Sequence, residues 1–218
     1  MELPDWGYVP TLCVDWLLDA GTGCYRIFNH VDAAARGYSP VGFNPSVPDP
    51  VDDRGGRFDA TSADRFAYLY GATSLEAAVH EVVLPASSAL PGHGMTLSGS
   101  EVANRSWCHF TVDETLHLVD LTDANGLNPF KAPHDLTRST KYSTTREWGR
   151  YIRSHVPAAQ GFVWFSRPHG SLPAFVLFED RLPTATVVGG GTFEFDTAAG
   201  RKILSSICAK ASVALNWP

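Results

Sequence analysis

Residues 55–84 read GGRFDATSADRFAYLYGATSLEAAVHEVVL. The opening Gly55-Gly56-Arg57-Phe58 is a turn in which bare backbone can approach a ligand closely, with an arginine beside the glycines. Residues 65–71 read as a strand, with Phe66, Tyr68 and Tyr70 on one side and Ala67 and Leu69 on the other. Ser74 is a helix N-cap residue, and the helix it starts is predicted to run to about residue 84. At about 100° per residue, Leu75, Ala78, Val79 and Val82 form its buried stripe while Glu76 and His80 face outward. Glu81 falls at the border of that stripe, about 60° from Ala78. Turn, strand and helix thus bring one arginine, two tyrosines and one border carboxylate into a short stretch.

The elements on either side are short. Residues 11–19 read as a brief amphipathic helix, and residues 23–28 as a strand with Cys24, Arg26 and Phe28 on one face. A Pro-, Gly- and Asp-rich loop spans residues 37–56, longer than a plain connector needs. After the central helix comes a loop over 85–100, then strands over 105–112 and 116–121. A helix follows, capped by Ser143 or Thr144 and running to about residue 154. Strands over 161–166, 174–178 and 184–188 and a helix over 197–215 complete the chain. The sequence contains no internal repeat and no linker. This pattern predicts an α+β fold, a single domain with a mixed or mostly antiparallel sheet and flanking helices.

The 218 residues carry a net charge of −6, with 44% hydrophobic and 18% charged residues. That composition suits one well-buried core and argues against direct nucleic-acid binding, which needs cationic surface. No stretch approaches the roughly 20 apolar residues of a membrane span. The chain opens without the basic, then apolar run of a secretory leader, so the expected location is cytoplasmic. Residues 1–64 hold ten acidic residues against four arginines and no lysine, so Arg26 and Arg57 stand out there. The four cysteines have neither C-x-x-C nor zinc-site spacing, so they read as small buried hydrophobes and no metal site is expected. Gly189-Gly190-Gly191 lacks the context of a P-loop or a dinucleotide-binding turn.

Each candidate residue has two readings. Arg26 suits an interior ion pair with a nearby aspartate as well as a phosphate. Arg57 fits a solvated turn or a ligand contact. Tyr70, with Tyr68 in reserve, suits core packing or stacking on a flat heterocycle. Glu81 suits a helix surface, or ribose hydroxyls and a developing oxocarbenium cation. His80, its rival as acid or base, has the outward phase. Ser166 lies outside a nucleophile elbow and suits a hydrogen bond to a ligand. Arg146, Arg150 and Arg153 form a cationic helix face, read as solvated surface.

The order Tyr25-Arg26, Gly55-Gly56-Arg57-Phe58, Tyr70, Glu81 and Gly161 to Ser166 resembles the RES domain, the toxin of RES–Xre toxin–antitoxin pairs. The resemblance runs from about residue 25 to 181. It departs at Phe58, where the family's turn has tryptophan, and at Asp59-Ala60, where Asn-Pro is usual. It implies a domain over 23–218 with a fold similar to ADP-ribosyltransferases, residues 1–22 being an N-terminal extension. It also implies cleavage of the nicotinamide–ribose bond of NAD⁺, by water or phosphate, or transfer of ADP-ribose to a protein. NAD⁺ is then a substrate, no cofactor is required, and a cognate antitoxin is the expected partner. By motif match Glu81, Arg26 and Ser166 are the catalytic set, and Arg57, Tyr70 and Tyr68 line the same pocket. A catalytically inactive nucleotide- or partner-binding module is the remaining alternative.

Overall fold

The structure, a computed structural model, describes residues 1–10, 13–90, 94–166, 172–183 and 187–217. In chain order the elements are β1 (Asp15–Leu18), β2 (Gly23–Asn29), α1 (His30–Arg36), β3 (Tyr68–Ala72), α2 (Leu75–Val82), β4 (Ser88–Leu90), β5 (Gly94–Ser98) and β6 (Arg105–Val112). They continue with β7 (Leu116–Asp120), α3 (Ala124–Leu127), α4 (Tyr142–His155), β8 (Gly161–Phe165), β9 (Pro173–Phe178), β10 (Val187–Glu194), α5 (Ala198–Lys210) and β11 (Val213–Asn216).

The larger sheet runs β1-β7-β8-β9-β3-β2-β6-β10, and every pairing in it is antiparallel except β7 with β8. A parallel pair needs a crossover connection, and α3 and α4 supply it. A smaller sheet, β11-β5-β4, sits apart. The expected α+β architecture, with a mostly antiparallel sheet and flanking helices, is the one observed.

The core has two halves because β9 is covered on both faces. Ala174, Val176 and Phe178 pack with Phe162, Trp164 and the α4 residues Tyr151 and Ile152. Phe175 and Leu177 pack oppositely, with Leu69, Cys108 and Phe110, and loop residues Val41 and Phe43 help to cover that face. Gly71 belongs to this packing, since a Cβ there would lie 2.7 Å from the Phe175 ring. The cysteines are free. Burial pushes the Cys24 thiol up to about 12 and that of Cys208 to about 11, so both behave as inert core groups.

Several local expectations are corrected. Residues 15–18 form β1, paired antiparallel with β7 from Asp15↔Val119 to Leu18↔Leu116, and not part of a helix; residues 11–12 of that expectation lie outside the described residues. Upstream, the Trp148 indole donates to the Glu2 carbonyl at 2.9 Å and the Tyr151 hydroxyl to the Tyr8 carbonyl at 2.6 Å. Helix α1 was not expected. Asn29 caps it by accepting from the Val31 and Asp32 amides, and left-handed Gly37 ends it. Strands β4 and β5 occupy part of the expected 85–100 loop. The C-terminal helix stops at Lys210, and β11 runs parallel to β5. Of the strand expected over 184–188, residues 184–186 lie outside the described residues.

Helix α4 differs most from expectation. Its cap comes from the acidic loop: the Asp53 carboxylate accepts from the Ser143 amide and hydroxyl, each at 2.8 Å. Those two bonds hold Asp53 below the usual carboxylate range. Of the three arginines read as solvated, only Arg150 is partly exposed, paired with Glu147 at 2.7 Å. Arg146 is 2% exposed and donates to the carbonyls of Asp49 at 3.1 Å, Arg54 at 2.9 Å, and Asp52. Arg153 is buried between Asp64 at 2.9 Å and Asp180 at 2.5 Å, with Phe66 stacked 4.0 Å from its guanidinium carbon.

Candidate active site

A cavity of about 630 Å³ opens where β2, the 55–59 turn, β3, α2, the first residue of α4 and the end of β8 meet. That volume is in the range of small-molecule sites. Arg26, Arg57, Tyr68, Tyr70 and Glu81 all line it, together with Asn44, Asp59, Tyr142, Trp164, Asn29 and Arg105.

Glu81 stands on α2, whose N-cap Ser74 accepts from the Ala77 amide as expected. The Arg57 guanidinium donates to Glu81 Oε1 at 2.8 Å, and the Trp164 indole donates to the same oxygen at 3.3 Å. Arg57 is 4% exposed, and its guanidinium carbon lies 5.6 Å from the Tyr142 ring and 5.9 Å from the Trp164 ring. This arginine is therefore an interior clamp and not a solvated turn residue. Among the described residues Glu81 Oε2 has no hydrogen-bond partner, so one carboxylate oxygen is held and the other left to a ligand.

Arg26 resolves differently from either sequence reading taken alone. Among the described residues it makes no ion pair with an aspartate; Nη1 donates to the Gly42 carbonyl at 2.5 Å. Burial lowers its pKa, yet a guanidinium stays charged at neutral pH. A half-buried charge with no ion-pair partner among the described residues is costly in proportion to its lost hydration, and this one borders a cavity. An anion there would balance it.

The tyrosines are tied by their hydroxyls. Tyr70 accepts from the Phe58 amide at 2.8 Å, and Tyr68 from the Asn44 side chain at 3.1 Å. Both are pushed up above the usual phenol range, chiefly by burial. The Tyr70 ring meets Trp164 and Tyr68 edge-on, at 6.1 and 5.7 Å between centroids. Next to Tyr70, Gly71 is packed against the Phe175 ring from the opposite face of the sheet. Asp59 is buried beside these hydroxyls. Desolvation pushes its carboxyl up, against the Gly56 amide and the two hydroxyls that favour its charged form.

Residues 24–196 match the RES domain family. The chain belongs to the RES domain family. Residues 1–23 precede the match. A chain in the crystal structure of the M. tuberculosis MbcT–MbcA toxin–antitoxin complex is similar to this RES protein at 13% identity and a TM-score of 0.49, covering 88% of this chain and 92% of that one. No curated protein matches the sequence.

Within the RES site, five of the six expected residues share one cavity. Ser166 does not line it. It is 1% exposed, directly after β8, with its amide donating to the Leu172 carbonyl at 2.8 Å. His80, expected on the outward face of α2, is 1% exposed, because α2 is covered by α5 as well as by the sheet. Sequence reading missed Trp164 and Tyr142 as partners of the Arg57–Glu81 pair. Strand alternation did put Trp164 on the face of Phe162 and Ser166, but nothing local in the sequence brings α2 or the 55–59 turn to it.

Proposed function

We propose that this RES protein cleaves the nicotinamide–ribose bond of NAD⁺, with water or phosphate as acceptor. The observation that carries the reading is one cavity holding both a half-buried arginine, Arg26, that makes no ion pair among the described residues, and a carboxylate, Glu81, clamped on one oxygen. NAD⁺ offers the complementary groups: a diphosphate for the cation, and ribose hydroxyls with a developing positive charge for the carboxylate.

In this mechanism Arg26 holds the diphosphate. Glu81 Oε2 accepts from the ribose hydroxyls and stabilises the oxocarbenium-like transition state as the C1′–N bond breaks. The bonding pair passes to the pyridinium nitrogen, so nicotinamide leaves neutral. Water then bonds to C1′ and gives its proton to solvent, or phosphate bonds there instead. Arg57 and Trp164 hold Glu81 Oε1 and so aim Oε2 at the ligand. Tyr70 flanks the nicotinamide, and Ser166, outside the cavity lining, supports the end of β8 behind it. The RES resemblance adds the setting of a cytoplasmic toxin with a cognate antitoxin.

The test is to incubate the protein with NAD⁺, with and without phosphate, and to follow nicotinamide and the second product. ADP-ribose indicates hydrolysis, and ADP-ribose-1″-phosphate indicates phosphorolysis. Glu81→Gln is expected to lower turnover at least about 100-fold, the scale of a lost transition-state charge contact, with an unchanged circular dichroism spectrum. Wild-type turnover in that variant refutes the assignment. Label transferred to a protein in lysate, with little free ADP-ribose, would move the reading to protein ADP-ribosylation.

A further inference from the structure

We propose that Asp59 is a positioning residue for Glu81, acting through the backbone of Arg57. Nothing in the proposed mechanism uses Asp59, yet it is 5% exposed at the cavity wall.

The turn that carries Arg57 is fixed at three consecutive backbone groups. The Gly56 amide donates to Asp59 Oδ2 at 2.7 Å. The Arg57 carbonyl accepts from the Thr145 hydroxyl at 2.8 Å. The Phe58 amide donates to the Tyr70 hydroxyl at 2.8 Å. Arg57 therefore has little freedom to pivot, and its guanidinium reaches Glu81 from a set position.

Asp59 also governs the tyrosine that holds the third group. The Tyr70 and Tyr68 hydroxyls each already accept a hydrogen bond, and each has one proton left to give. Both stand beside the Asp59 carboxylate and favour its charged form. Oδ1 is buried and makes no hydrogen bond among the described residues; the tyrosine hydroxyl protons are its natural donors. The packing leaves no slack: a Cβ on Gly56 would collide with Asp59 Oδ1 and lie 2.6 Å from the Tyr70 hydroxyl. Only glycine lets the carboxylate and phenol close against the turn.

The test has one arm that does not depend on NAD⁺ and one that does, and the second rests on the proposed function. Hydrogen exchange is measured over residues 55–59 in wild type, Asp59→Ala and Asp59→Asn. In Asp59→Ala the Gly56 and Phe58 amides should exchange about tenfold faster, the effect of losing one net hydrogen bond, while α4 and β9 keep their protection. In Asp59→Asn, whose amide oxygen still accepts from Gly56, the Gly56 amide should stay near wild type, while Phe58 exchanges faster to a smaller extent than in the alanine because the side-chain NH2 cannot accept the tyrosine proton. In the kinetic arm Asp59→Ala should lower kcat roughly 10- to 100-fold by misplacing the clamp. KM should move less, and Asp59→Asn, which keeps the Gly56 bond alone, should recover part of the loss.

Unchanged exchange and kcat in Asp59→Ala overturn the proposal, and so does an Asp59→Asn variant as impaired as the alanine. If the wild type does not turn over NAD⁺, the functional reading fails while the exchange arm still decides the positioning claim. Should Asp59→Ala not fold, Gly56→Ala makes the same test by pushing carboxylate and phenol off the turn. Normal exchange at Phe58 in that variant overturns the proposal.

Discussion

Replacing Arg146 by alanine separates the structure from the helical-wheel reading of α4. Arg146 gives three charge-assisted hydrogen bonds to carbonyls of the 49–54 segment. At about 1.5–3 kcal/mol each, the gross sum is about 4.5–9 kcal/mol. The discount is large, because Asp49 and Arg54 are exposed and their carbonyls rehydrate once the guanidinium is gone. Bonds to one side chain are also not additive. A loss of about 3 kcal/mol follows, which in a chain of this size lowers Tm by roughly 6–12 °C. Arg150→Ala is the control on the same helix, where a part-exposed pair with Glu147 is worth under about 1 kcal/mol. Urea unfolding and thermal melts of the two variants side by side provide the assay. Arg146→Lys should restore less than half, because a single ammonium cannot span three carbonyls. Equal, small effects at 146 and 150 would refute the reasoning and return Arg146 to the surface.

Two further outcomes concern packing and pH. Gly71→Ala should destabilise by about 1–3 kcal/mol, the usual cost of overpacking, because its methyl would sit 2.7 Å from the Phe175 ring; Phe175→Leu in the same chain should relieve part of it, and an additive loss would contradict the contact. For Asp59, burial raises the folded-state pKa above the ordinary 3.8, so the folded protein binds that proton more tightly than the unfolded chain. The stability this confers is complete below 3.8 and is lost as pH rises through the folded value. The stability of Asp59→Asn relative to wild type should therefore improve from about pH 4 to pH 7, and a pH-independent difference in denaturant midpoints would show that Asp59 titrates normally.

Elements with strong local signals were legible before the fold was. Ser74 caps α2 because its hydroxyl and the apolar residues after it lie within one turn of each other. The 105–112, 116–121, 161–166 and 174–178 strands carry apolar or alternating runs that only a sheet accommodates. The misread elements depended on partners distant in sequence. Four residues, Asp15 to Leu18, fit either a helical or a strand period, and the open edge of β7 decided between them. His80 has an outward phase on a helix with one buried face, but α2 has two. Arg146 and Arg153 look solvated on a wheel, whereas the acidic loop and Asp64 and Asp180 fold over them.

Of the candidate site, the sequence by itself determined the chemistry available: a turn arginine, a strand arginine, two tyrosines and a border glutamate, each of a type and in an order that names the family. It determined this because side-chain identity and local backbone preference are properties of neighbouring residues. Tertiary structure alone decided that Arg57 and Trp164 hold the same oxygen of Glu81, that Arg26 meets a carbonyl instead of an aspartate, and that Asp59 closes under the turn. Those pairings join residues up to 83 positions apart, and their geometry is set by strand register and helix docking, which no local stretch of chain encodes.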